Sequence, residues 1–80
     1  MPLFLTSRFK KRFETIPHNV RDQVRLAFGE LEINPRLGKK LTGSLQGHYS
    51  WRVGRYRVLY TLQGNNIFAE TVRHRKEVYR

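Results

Sequence analysis

The stretch Trp51-Arg52-Val53-Gly54-Arg55-Tyr56-Arg57-Val58-Leu59-Tyr60 decides how this chain folds. It reads as two strands joined by a two-residue turn at Gly54-Arg55. A glycine at the first central position suits a type II′ hairpin. That turn pairs Val53 with Tyr56, Arg52 with Arg57 and Trp51 with Val58. Arg52 and Arg57 then face each other on one side of the sheet, where like charges directly across a ladder are destabilising. An anion such as a phosphate bound between them relieves that repulsion; two solvated side chains splayed apart are the other solution.

Working outward, Tyr56, Val58, Tyr60 and Leu62 share one strand face. Trp51 and Val53 join it through the cross-strand pairing. This apolar face needs a cover, so Trp51, Tyr56 and Tyr60 are assigned to the core. Gln63-Gly64-Asn65-Asn66 is a turn, centred on Gly64-Asn65 or on Asn65-Asn66, and leads into a strand from about Ile67 to Arg73. Simple alternation puts Ser50, Arg52, Arg57, Leu59, Thr61, Phe68, Glu70, Val72 and His74 on the opposite, open face.

The cover comes from the N-terminal half. Leu3-Phe4-Leu5-Thr6 is short and apolar and reads as an opening strand. Thr6 or Ser7 can cap a helix that carries Phe9, Phe13 and Ile16 at helical spacing. A second helix runs from Pro17 to about Ile33, with Val20, Val24, Ala27, Phe28 and Leu31 as one apolar stripe. Asn34-Pro35 stops it. Residues 34–48 read as an ordered loop carrying Arg36, Lys39 and Lys40. The expected fold is therefore α+β: one domain over residues 1–80, with a small, mainly antiparallel sheet and an N-terminal helical hairpin on one face.

Lys and Arg number 16 against 6 for Asp and Glu, giving +10. Residues 1–48 hold nine basic and four acidic side chains, and residues 49–80 hold seven and two. Each part is +5, so the folded body is cationic and no detachable tail accounts for the excess. Such a body favours polyanionic partners, nucleic acid first and acidic proteins second. Cys is absent, which excludes disulfides, thiolate metal sites and Cys nucleophiles and fits a cytoplasmic protein. Three widely separated His residues give no metal site, no cofactor motif is present, and no segment resembles a signal peptide or a membrane span.

The open face suits RNA. Guanidinium groups bind phosphate oxygens bidentately and stay charged. A tyrosine can stack on an exposed base. Cleavage without a metal needs a 2′-hydroxyl to attack the adjacent phosphate, helped by a base, an acid and cations that stabilise the added charge. The chain supplies the cations. Arg is a poor proton carrier, since its pKa is above about 12. His74 and Glu70 are better suited chemically, and each has an alternative structural role, Glu70 as an ion-pair partner of these arginines.

These residues resemble the RelE/ParE superfamily of toxins from toxin–antitoxin pairs. The resemblance rests on the opening strand, the helix pair ending at Asn34-Pro35, Leu41-Thr42-Gly43, Tyr49 through Tyr60, and the closing His74-Arg75-Lys76-Glu77-Val78-Tyr79. It implies a ribosome-dependent, metal-independent endoribonuclease that cuts messenger RNA, needs no cofactor and pairs with a cognate antitoxin. By the resemblance, Arg57 holds the scissile phosphate, Arg52 matches a basic residue of the preceding strand, Arg75 assists the phosphate or leaving group, and Tyr79 orients the nucleotide. Ser50, Arg55, His74, Lys76, Lys39 and Lys40 complete the expected nucleic-acid surface. Ser50 and Arg52 stand where well-studied RelE toxins carry lysines. The superfamily also holds ParE-like poisons of DNA gyrase, so a gyrase-directed toxin and a non-catalytic nucleic-acid-binding or repressor component are the alternatives.

Overall fold

Thr6 organises the start of the chain. Its Oγ1 accepts a hydrogen bond from the Phe9 backbone N–H at 3.1 Å, which caps helix α1 (Ser7–Phe13). Lys10, Lys11 and Arg12 fill the last turn, where cations complement the helix dipole. Pro17 precedes helix α2 (His18–Ile33) in an extended conformation; it has no N–H to leave unpaired at the helix start. Val24, Ala27 and Leu31 are the buried stripe of α2, and Asn34 leaves the helical region just before Pro35. The computed structural model describes residues 1–76.

Five strands form one sheet: β1 (Leu3–Leu5), β2 (Lys39–Lys40), β3 (His48–Val53), β4 (Tyr56–Gln63) and β5 (Asn66–His74). Their order is β1-β5-β4-β3-β2, with β1 parallel to β5 and every other pairing antiparallel. The β3–β4 hairpin has the expected register, with Val53 opposite Tyr56, Arg52 opposite Arg57 and Trp51 opposite Val58. Gly54 sits at φ 59°, and no non-glycine residue among those described has positive φ, as a type II′ turn at Gly54-Arg55 requires. Gly64 repeats this at the β4–β5 turn, where Gln63 faces Asn66, so Gly64-Asn65 are the central pair.

The helices cover one side of the sheet. Phe9, Val24, Val58, Ala69 and Val72 have no exposed surface and form one cluster; Leu31, Tyr60 and Ile67 form a second with Tyr49. Trp51 and Tyr56 are partly buried against this core, on the side expected for them.

Two expectations need correction. Residues 34–48 are more than a loop: Lys39 pairs with Ser50 and Lys40 with Tyr49, making a short edge strand, and Gly43–Leu45 form a 3-10 turn. The signal is only two residues long, and tertiary contact supplies the rest. The Tyr60 hydroxyl donates to the Pro35 carbonyl at 2.8 Å and accepts from the Gly38 N–H at 2.9 Å. A Cβ on Gly38 would lie 2.5 Å from that hydroxyl, so only glycine lets the chain pass.

The second correction concerns β5. Leu59 pairs with Thr71 but Tyr60 pairs with Ala69, which leaves Glu70 as an extra residue in a β-bulge. The bulge shifts strand parity by one. Val72 and His74 therefore turn to the helix side, opposite Val58 and Tyr56, and Thr71 and Arg73 take the open face. Val72 is fully buried, and the His74 ring meets Tyr56 edge-on at 5.1 Å. Thr6 holds the bulge from across the sheet edge. Its N–H donates to the Ala69 carbonyl at 3.2 Å, and its Oγ1 lies 3.1 Å from the carbonyls of both Ala69 and Glu70.

Candidate functional site: the open face of the sheet

With the bulge in place, the open face is a grid. One row runs Arg52, Arg57, Arg73 across β3, β4 and β5. The next runs Lys39, Ser50, Leu59, Thr71 from the β2 edge. A third runs His48, Thr61, Phe68, Phe4, with the last two rings stacked at 5.6 Å. The face is thus cationic at one end and aromatic at the other. Adjacent strands stand about 4.8 Å apart. Three arginines in one row repel one another, by roughly 0.2–1 kcal/mol per facing pair.

Arg52 and Arg57 line a cleft of about 260 Å³ with Lys39, Leu41 and Ser50. Arg57 is half-buried there, while Arg52 is exposed and its Nε donates to the Gly54 carbonyl at 3.3 Å. That bond lays the Arg52 stem along the turn. Lys39 reaches the cleft because β2 is pinned by the Gly38–Tyr60 contact, which sets Lys39 directly opposite Ser50. Burial raises the Tyr60 hydroxyl pKa above its ordinary value; the Gly38 hydrogen bond opposes the shift and the nearby Tyr49 adds to it. Tyr60 therefore stays a neutral anchor. The cleft offers two guanidinium groups, an ammonium and a hydroxyl to one ligand, which is the chemistry of a phosphodiester cradle.

The expected site residues divide. Arg52, Arg57, Ser50 and Lys39 come together in the cleft. Lys40 pairs with Tyr49 and so belongs to the helix side of the edge strand. His74 also belongs to that side. Arg55 sits in the β3–β4 turn and Arg75 in the turn after β5, and the two are tied by a 2.7 Å bond from the Arg75 N–H to the Arg55 carbonyl. The Lys76 N–H donates to His74 Nδ1 at 3.2 Å, and the Lys76 side chain is exposed. Tyr79 lies outside the described residues. Glu70 accepts a hydrogen bond from Thr61 Oγ1 at 3.2 Å.

Sequence reasoning missed Arg73, which completes the arginine row opposite Arg57. It also missed His48 and Arg8, which line a second cleft of about 100 Å³ with Leu59, Glu70, Thr71 and Arg73. The hidden bulge explains Arg73 and Thr71. The single clue to it was Thr6, a capping residue next to a strand. Among the described residues, no group of three His, Cys, Asp or Glu could hold a metal ion, and no helix is long and apolar enough to cross a membrane.

A family model described as the ParE toxin of type II toxin–antitoxin systems matches residues 3–79. Toxin RelG of Mycobacterium tuberculosis is 34% identical over 80 residues, covering 96% of this chain and 92% of the relative. Toxin RelE3 of Methanocaldococcus jannaschii is 28% identical over 85 residues, covering 99% and 96%. The crystal structure of the RelBE2 toxin–antitoxin complex of M. tuberculosis superposes with a TM-score of 0.83 at 30% identity, over 91% of this chain and 95% of that one. The isolated E. coli RelE toxin shares the fold, with a TM-score of 0.78 at 18% identity over 96% and 86%. By sequence and by fold, the chain belongs to the RelE/ParE superfamily and is a RelE-like toxin of a type II toxin–antitoxin system.

Proposed function

We propose that this toxin is a messenger-RNA endoribonuclease that acts on the ribosome and is neutralised by a cognate antitoxin. The observation that carries this reading is the facing pair Arg52–Arg57, which shares one cleft with Lys39 and Ser50. A phosphate there meets positive charge from two strands. In-line attack by the neighbouring 2′-hydroxyl places extra negative charge on the same phosphate oxygens, so the cradle binds the transition state more tightly than the ground state. Arg73 extends the row by one strand. Lys39 lies directly across from Ser50, the position at which well-studied RelE toxins carry a lysine. The edge strand thus returns an ammonium to the cleft, and we assign Lys39 the proton transfer that a guanidinium performs poorly. Arg75 and Tyr79, at the C-terminal end, are the further contacts proposed for the nucleotide.

The antitoxin reading has support in the neighbours: the RelBE2 structure of M. tuberculosis and the RelB–RelE structure of Methanococcus jannaschii are both toxin–antitoxin complexes. A cationic body of +10 favours an acidic partner segment. The test is to map RNA ends in cells expressing the wild type or Arg57→Ala. Cuts inside translated codons that vanish in the variant support the assignment, and equal cutting by both would falsify it. The ParE description of the matching family model favours one second reading, a gyrase poison. Supercoiling inhibition with intact messages would identify that activity.

A further inference from the structure

The bulge that brings Arg73 to the open face is held from outside its own strand. A bulge takes its extra residue out of the ladder, so the carbonyls beside it need another donor. Thr6 Oγ1 lies 3.1 Å from the carbonyl of Ala69 and 3.1 Å from that of Glu70, the residues at the bulge. The same Oγ1 accepts from the Phe9 N–H at 3.1 Å and starts α1. A hydroxyl serves both ends because it accepts through its lone pairs and donates its own hydrogen. A carboxylate caps a helix equally well but has no proton to give. Capping alone therefore does not call for a threonine at position 6, whereas the bulge carbonyls call for a donor.

The arginine row depends on this hold. With Glu70 out of the pairing, Thr71 faces Leu59, Val72 faces Val58 and Arg73 faces Arg57. Continuous pairing from Tyr60–Ala69 would set Glu70 opposite Leu59, Thr71 opposite Val58 and Val72 opposite Arg57. Arg73 would then face Tyr56 on the helix side. Burial of Val72 favours the bulged register, and repulsion between Arg57 and Arg73 opposes it. Helix α1 adds to the favourable side from both of its ends. Thr6 donates at the bulge, and Arg12 Nε donates to the Val72 carbonyl at 3.3 Å, next to Arg73.

We propose that Thr6 is a positioning residue for RNA cleavage: its hydroxyl secures the bulge and so keeps Arg73 in line with Arg57. It acts through Arg73 and not on the substrate, and it rests on the ribonuclease reading above. The full chain is compared as wild type, Thr6→Ser, Thr6→Asp, Thr6→Val, Arg73→Ala and the double variant of Thr6→Val with Arg73→Ala. Message cleavage on programmed ribosomes is measured beside NMR contacts between the backbones of residues 57 and 73, and urea unfolding confirms that each variant is folded. Thr6→Ser keeps acceptor and donor and should cleave within about twofold of the wild type. Thr6→Asp keeps the cap and loses the donor. It and Thr6→Val should lose the 57–73 contact, retain the contact between Trp51 and Val58, and cleave about tenfold more slowly. The double variant should be no slower than Arg73→Ala alone, within about twofold, because both changes take the same group out of the row.

Losses that multiply in the double variant would overturn the proposal and leave Thr6 a helix cap. Wild-type cleavage by Thr6→Asp or by Arg73→Ala would do the same, and so would a 57–73 contact that survives in Thr6→Val. If Thr6→Val does not fold, Thr6→Asp against Thr6→Ser decides the question. A wild type that cuts no message sinks the ribonuclease reading, and the NMR contacts then still decide whether Thr6 holds Arg73 in the row.

Discussion

On the helix side of the sheet, Val58, Tyr60, Ile67, Ala69 and Val72 have no exposed surface. On the other side, Arg52, Arg57 and Arg73 stand in a row across three strands. The same backbone carries both, on the two faces of one sheet. Helix-side residues stabilise the chain by leaving water, at about 1.5–3 kcal/mol for each large aliphatic side chain. The arginine row does the reverse, since its charges repel. The facing Arg52 and Arg57 share one cleft, where a bound anion would offset their repulsion. Glu14, Asp22, Glu30 and Glu32 belong to the helical layer, where Asp22 pairs with Arg25 at 2.9 Å, whereas Glu70 lines a cleft of the open face beside Arg73.

The contrast predicts opposite responses to mutation. The largest effect belongs to the helix side: Phe9→Ala empties the centre of the first cluster and should lower stability by about 3–5 kcal/mol in urea unfolding, with activity lost only as the fold is lost. A loss below about 1 kcal/mol would mean that the helices do not hold this face. Next comes Arg57→Ala, which should reduce cleavage on programmed ribosomes by about 10²–10³-fold while the unfolding midpoint is maintained. Equal losses of stability and cleavage would erase the distinction between the faces.

Tyr60→Phe bridges the two sides. Removing the hydroxyl leaves the Gly38 N–H and the Pro35 carbonyl without their partner and should cost about 1–3 kcal/mol. It should also slow cleavage, because Lys39 depends on that anchor. The variant carries a pH signature as well. The Tyr60 pKa is raised in the fold, so its contribution to stability is complete below about pH 10 and is lost as pH rises through the folded value. Alkaline unfolding should therefore be shallower in Tyr60→Phe than in the wild type. The smallest effect is at Arg52. Arg52→Thr removes one member of the repelling row and should raise stability by roughly 0.2–1 kcal/mol while cleavage falls. A drop in stability would show that the Nε bond to Gly54 outweighs the repulsion.

Much of this was legible without coordinates. The Gly54-Arg55 turn fixed the β3–β4 register, and the heptad-like spacing of Val20, Val24, Ala27 and Leu31 fixed the buried stripe of α2. Both are local: a two-residue turn and a helical period each follow from neighbours within a few positions. The cleft members Arg52, Arg57 and Ser50 came with the hairpin. What stayed hidden was every feature set by distant contact. The edge strand β2 exists because Gly38 passes over the Tyr60 hydroxyl, 22 positions away in the chain. The Glu70 bulge, held by Thr6 at the neighbouring edge of the sheet, exchanged Val72 and His74 for Thr71 and Arg73 on the open face.

From its residues alone this chain determined a cationic α+β body, a hairpin with two facing arginines, and a helix-covered core. Tertiary structure alone decided which residues of β5 join those arginines. Alternation along a strand holds only while pairing is continuous, and one unpaired residue reverses it for everything that follows. Whether such a residue is inserted depends on what waits at the neighbouring edge, and here that is a threonine hydroxyl more than sixty positions away.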